Sequence, residues 1–315
     1  IIQKLHPDNN PSPPAADDYR VDLGTLESIS SMAVSDSIRV AGTGGKNIDL
    51  NLLVWDLVEL FDYNPTESMF EDVVMSFGAI MQDQNMYSAL VDMEKNGFAP
   101  SRPLLRYIAL KLTTSEKRLA HSDKLLEWHE NDHVRSTSSM NALMLGYGMK
   151  REINNAFRVF ENLDSFNLTP DSNTFTFLME ILYMDTKDRF PYQPSKPEQQ
   201  HNPQDIEDVI GAAEIILDAM EEAGVKKTKL FYNEQIKLLC ALRMLEDAGL
   251  VLEEAISTGT PVSNSALHLL ATRFADLGEY EKAHAVAESS VAAGCGDNSH
   301  LVNRINNIEK KREAS

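Results

Sequence analysis

The chain has 315 residues, 43% of them hydrophobic, and its 29 basic against 48 acidic residues leave a net charge of −19. That apolar content suffices for the continuous core of one elongated domain. So acidic a surface is poorly suited to drawing in a polyanion, because nucleic-acid affinity is dominated by phosphate neutralisation. No apolar run approaches the length of a membrane-spanning helix. Cys240 and Cys295 have no metal or redox spacing, which points to a reducing compartment and inert thiols.

The numbering opens at Ile1, which suggests a processed or trimmed chain. Residues 1–31 read as an arm and lead-in, with Pro7 to Asp18 extended and proline-rich. Gly42-Thr43-Gly44-Gly45-Lys46 has the look of a phosphate cradle. It lacks the earlier glycine and carries Asn47 where a magnesium-binding Ser or Thr belongs, so it reads as an inter-helix turn.

From residue 32 onward the sequence repeats. Asp62, Gly97, Asp132, Asn167, Gly224, Gly259 and Gly294 stand 35 residues apart, with one interval stretched to 57. Thr66, Ser101, Ser136, Asp171, Thr228, Ser263 and Asn298 follow four places later. The first column holds residues that accept the left-handed conformation ending a helix, and the second holds residues that cap the next one. A period in this range marks a solenoid or array. Pro65, Pro100 and Pro170 stand just before the cap column, where proline stops the connection from continuing the previous helix.

Within each tile the apolar places agree. Val73, Ile108, Leu143, Leu178 and Leu270 mark a first helix, interrupted by Gln235. Leu90, Leu125, Phe160, Leu217 and Leu252 mark a second, and Val58, Met93, Trp128, Leu163 and Met220 lie three later. Ala156, Ala213, Ala248 and Ala283 share a place where a missing side chain lets helices approach, while Asn51, Met86 and His121 depart from it. Each tile is therefore expected to be a helix hairpin. The expected fold is all-α, a right-handed α-solenoid of about seven 35-residue hairpin repeats over 32–298. An insertion at about 185–204 reads as a polar surface excursion, and 299–315 as a capping partial repeat.

The tile from Ser136, with Asn141, Gly146, Tyr147, Ala156, Phe160 and Pro170-Asp171 in place, resembles a pentatricopeptide repeat. Ala212 to Val225 and Leu230 to Leu242 are similar to the second and first helices of that family. The resemblance implies mitochondrial or plastid proteins that bind RNA, each repeat reading one base with the fifth residue of its first helix and the last residue of the tile.

On that mapping Asn141 with Asp171 matches a uracil-favouring pair, and Asn233 with Ser263 a weaker pyrimidine-favouring pair. The other fifth places, Asp36, Glu71, Arg106, Thr176 and His268, complete no such pair; of these tiles the candidates retained are Thr176 with the cap residue Thr228. Of the base-sandwiching places only Leu230 is substantially apolar, and no lysine stands at the thirteenth places. Lys226, Lys227 and Lys229 form a basic patch that offers local phosphate contact or an ordinary solvated turn.

His129-Glu130-Asn131-Asp132-His133 spells the HExxH pattern of zinc hydrolases. Asp132 falls in the helix-ending column, which breaks the i, i+4 geometry, and Glu152 is a third ligand only by distance along the chain. No metal, cofactor, catalytic residue or small-molecule substrate is expected. The leading expectation is a non-enzymatic adaptor in an organellar assembly concerned with RNA metabolism or translation, using protein subunits as partners and limited RNA contact. The alternative is a sequence-specific organellar RNA binder, and a remote one is a zinc hydrolase.

Overall fold

The computed structural model describes residues 21–39, 45–128, 133–193, 202–295 and 298–313. The arm at Pro7 to Asp18, Gly42 to Gly44, the HExxH residues His129 to Asp132 and the tip of the insertion lie outside the described residues. The described residues are all-α, without a strand, and the chain divides into two compact units at Pro100 and Ser101.

The first unit contains α1 (Leu23–Arg39), α2 (Gly45–Leu60), α3 (Glu67–Ala79) and α4 (Asp83–Lys95). Helix α1 starts ahead of the tile edge at 32 and is opened by Asp22, whose carboxylate accepts the Thr25 amide at 2.9 Å. Helices α1 and α2 pair, α3 and α4 pair, and α1 and α2 both touch α3. The core here is Leu26, Val54, Val58 and Met69.

The second unit begins with α5 (Arg102–Leu112), α6 (Glu116–Glu127), α7 (Thr137–Met149) and α8 (Ile153–Ser165). It continues through α9 (Ser172–Arg189), α10 (Pro203–Glu222), α11 (Lys229–Leu242) and α12 (Leu245–Ser257). The last elements are α13 (Asn264–Leu277), α14 (Tyr280–Glu288) and α15 (Ser299–Glu313). The first helices pack in succession, α5 on α7, α7 on α9, α9 on α11, α11 on α13 and α13 on α15, while α8, α10, α12 and α14 pair back onto their own first helices and α6 packs on both α5 and α7. That is the stacking of a helical-hairpin solenoid.

Local chemistry sets the tile edges. The side chains of Thr66, Ser101, Ser136, Asp171, Thr228 and Ser263 each accept an amide of the first turn that follows, worth about 1 kcal/mol apiece. Ser136 with Ser139 and Asp171 with Thr174 close reciprocal capping boxes. Asn298 behaves differently: its amide nitrogen donates to the Ala287 carbonyl at 2.7 Å and so ties α15 to the end of α14. Asp62, Gly97, Asn167, Gly224, Gly259 and Gly294 all have positive φ, between 53° and 85°. These are the left-handed helix ends read from the sequence.

Several expectations are revised. Trp128 does not continue the apolar stripe: α6 ends at Glu127, Trp128 turns into extended backbone and is 64% exposed, and Leu126 takes the buried place. Gln235 is buried in the first-helix column despite its amide. Ala213 on α10 is only half-buried, whereas Ala156, Ala248 and Ala283 are fully enclosed. The start of the insertion continues α9 to Arg189, with Lys187, Asp188 and Arg189 exposed, and Tyr192 donates to Asp276 Oδ2 at 2.6 Å.

Cys240 is buried and Cys295 half-buried, and both are free thiols. Burial pushes the Cys240 thiol up to about 12, so it stays protonated at neutral pH. No helix among the described residues is long and apolar enough to cross a membrane.

Candidate nucleic-acid interface

Stacking the first helices brings the fifth place of one tile against the cap that opens the next. Asn141 on α7 donates its Nδ2 to Asp171 Oδ1 at 3.0 Å across 30 residues of sequence. Asp171 is already fixed, because the same carboxylate oxygen accepts the Thr174 amide at 2.8 Å and the Thr174 hydroxyl at 2.9 Å. Asn233 on α11 makes the matching connection two hairpins later, its Oδ1 accepting the Ser263 amide at 2.8 Å, also across 30 residues. The two pairs named from the sequence are therefore spatial pairs.

Both asparagines are deeply set, Asn141 at 1% and Asn233 at 4% exposure. Asn141 Oδ1 is buried without a hydrogen-bond partner, which leaves one acceptor open at this place. A base edge engaging Asn141 can use that acceptor or the second Nδ2 hydrogen while the bond to Asp171 stays in place.

The other candidates divide by their partners. Thr176 is buried and donates its hydroxyl to the Ser172 carbonyl at 2.6 Å, a bond internal to α9. Thr228 caps α11 and is not paired with Thr176 by any bond the geometry records. Lys227 is held by both carboxylate oxygens of Glu254, at 2.8 and 3.0 Å, and lies over the Tyr232 ring. Lys226 and Lys229 are exposed. Leu230 at the base-sandwiching place is 41% exposed and free to stack on a ligand.

Sequence reasoning missed the charged residue at the centre of this face. Glu180 on α9 is buried and receives Arg102 at 2.6 Å, with Arg106 on its second oxygen. The fifth-place Arg106 is thereby turned toward a carboxylate. Arg102 also lies 4.8 Å above the Phe177 ring centroid. The available signal was a lone glutamate inside the apolar run of α9, a pattern that demands a buried cation nearby.

For the HExxH motif, α6 ends at Glu127, before its first histidine, and His133 sits in a short 3₁₀ turn. No group of three or more metal-ligating side chains occurs among the described residues.

No family model and no curated protein matches this chain. Among solved structures it is similar to the pentatricopeptide repeat protein PPR10 in complex with an 18-nt psaJ RNA element, at 10% identity over 93% of this chain and 42% of that chain, with a TM-score of 0.48. The RNA complex of a cysteine-to-serine variant of PPR10 gives the same identity and TM-score. PPR10 from maize shows 12% identity over 95% of this chain and 58% of that one, with a TM-score of 0.34. The chain thus spans about two-fifths of the length of the first two structures it is similar to.

Proposed function

We propose that this chain is a non-enzymatic, RNA-associated helical-repeat protein whose base reading is confined to two hairpin boundaries, Asn141 with Asp171 and Asn233 with Ser263. The observation that carries the reading is the meeting of each pair through a direct hydrogen bond across 30 residues. An amide and a neighbouring oxygen on one face present donor and acceptor groups together, as recognition of a base edge requires. The setting we propose is a mitochondrion or plastid, on the strength of the repeat resemblance in the tile from Ser136.

A second reading, an adaptor that works mainly through protein subunits, is favoured by a different observation. The chain carries −19, and Arg106 and Lys227 are engaged by Glu180 and Glu254. Little cationic surface then remains for a phosphate backbone along these tiles.

Titration of the full chain against a randomised RNA pool separates the two. Selection of one defined motif, weakened by Asn141→Ala and by Asn233→Ala, supports base reading. A pool that binds without selection, or a selected motif indifferent to both substitutions, sinks it. Protein subunits that co-purify with the native chain after nuclease treatment then favour the adaptor.

A further inference from the structure

Against the acidic background of the chain, one cleft in the second unit is cationic. It lies between α13 and α15 as a cavity of about 660 Å³, adjoining another of about 580 Å³, and Thr272, Arg273 and Arg304 line both. His300 and Lys311 lie on the larger and His268 on the smaller. The acid in the lining is Asp276, which is already committed: its Oδ2 accepts the Tyr192 hydroxyl at 2.6 Å and lies 3.9 Å from Arg273. Among the described residues no carboxylate pairs with Arg304.

The donors of this cleft are incomplete. Thr272 is only 9% exposed, yet its hydroxyl has no hydrogen-bond partner, and the Nε of Arg273 is also buried without one. Buried donors are satisfied in the great majority of proteins, so two orphans beside Arg304 mark a place for an acceptor. The Arg273 guanidinium is held in position over the Tyr192 ring, 3.1 Å from its centroid, and the His268 and His300 rings stack at 5.7 Å. His268 is pulled below its ordinary value by burial first, then by the neighbouring His300 and Arg304.

We propose that the α13–α15 cleft binds a phosphate monoester, with Arg273 and Arg304 on its oxygens, the Thr272 hydroxyl as a further donor and the two histidines at the rim. Guanidinium groups match phosphate oxygens in geometry, and a compact dianion uses two of them where a phosphodiester, with one charge, uses fewer. The cavity leaves space beside the phosphate for the alcohol portion of the ester. This site stands apart from base reading, since Arg273, Arg304 and Thr272 belong to neither base-reading pair.

The test titrates the full chain at constant ionic strength with inorganic phosphate, a nucleoside 5′-monophosphate, or an oligoribonucleotide lacking a terminal phosphate, with chloride as control. Histidine ring resonances and calorimetry are the readouts. Saturable shifts of His268 and His300 with phosphate and the mononucleotide are expected, weakened at least about tenfold by Arg304→Gln and also by the near-isosteric Thr272→Val. Lys117→Gln, exposed on α6 and lining neither cavity, leaves them unchanged. Absence of saturable binding by phosphate and the mononucleotide overturns the proposal. So does binding by the oligoribonucleotide alone, which makes the cleft a strand contact. The arms without RNA leave base reading untouched, so the two ideas fail separately.

Discussion

At the place where the second unit sets Ala156, Ala248 and Ala283, all fully enclosed, the first unit sets Asn51, just as deeply buried. Asn51 on α2 is the hub of a polar seam. Its Nδ2 donates to Ser76 Oγ at 2.7 Å, and its Oδ1 lies 2.5 Å from the Ser30 hydroxyl, which also sits 2.9 Å from Asp72 Oδ2. Alanine seams let helices approach until their backbones limit them, and they are satisfied by contact alone. A polar seam fixes orientation through directed bonds but carries a desolvation cost. Burial raises Asp72 above the ordinary carboxylate value, only partly opposed by the hydrogen bonds from Ser30 and Ser31. With Asn51 in this orientation, the single Ser30 hydrogen faces two acceptors, and a proton on Asp72 resolves the conflict. The α1–α2 hairpin thus reaches the same design as the alanine hairpins through opposite packing chemistry, while α4 of the first unit fills that place with the buried Met86.

The largest effect is expected at the alanine seam. Ala248→Leu should overfill the contact and cost about 1–3 kcal/mol, lowering the melting temperature. Faster hydrogen exchange should appear in α11–α13 and leave α1–α4 unchanged. An unaltered melt would show that the seam yields easily and that the contrast between the units is empty.

Asn51→Ala installs the residue of the alanine column in the first unit. Loss of the amide's buried bonds should cost about 1–2 kcal/mol, visible as faster exchange in α1–α3. A stabilised variant would mean that the polar seam is replaceable by the alanine design without penalty.

Asp72→Asn gives a pH signature. The folded pKa lies above the ordinary 3.8, so the contribution of Asp72 is most favourable below that value and is lost as pH rises through the raised folded value. The variant should therefore be more stable than the parent at neutral pH, with the advantage vanishing in acid. Denaturant midpoints of both proteins across the acid range test this, and a pH-independent difference would remove the protonation account. The smallest effect belongs to Lys227→Gln. Its pair with Glu254 is partly exposed, and such pairs contribute about 0–1 kcal/mol, so chemical denaturation should hardly change.

The fold was legible where the chemistry is local. Six helix ends with positive φ and six side-chain caps follow from residue identity, because each involves groups within a few places of one another. Of the site, the pairing of Asn141 with Asp171 was reachable through the repeat register, because a fixed period converts a spacing in sequence into a contact in space. The partner of Arg106 was not, since Glu180 lies 74 residues away and only stacked helices bring the two together.

By itself the sequence determined the period, the all-α hairpins and their caps, since a cap or a left-handed turn is a property of a few consecutive residues. Only the tertiary structure decided what those turns and faces become. Met81, Arg151 and Arg243 take φ near +63° inside the hairpins, at a second register that no glycine announces except Gly278. Pairing of the two helices of each hairpin imposes the turn there, the following amide bonding back onto the first helix (Gln82 to Phe77, Glu152 to Tyr147, Met244 to Leu239), and side chains bear the left-handed conformation at a cost of about 1–3 kcal/mol when their surroundings demand it. Trp128 at the surface, Glu180 between two arginines and the cationic cleft of α13 and α15 have the same origin. Burial and charge pairing are summed over distant segments, and no local pattern encodes that sum.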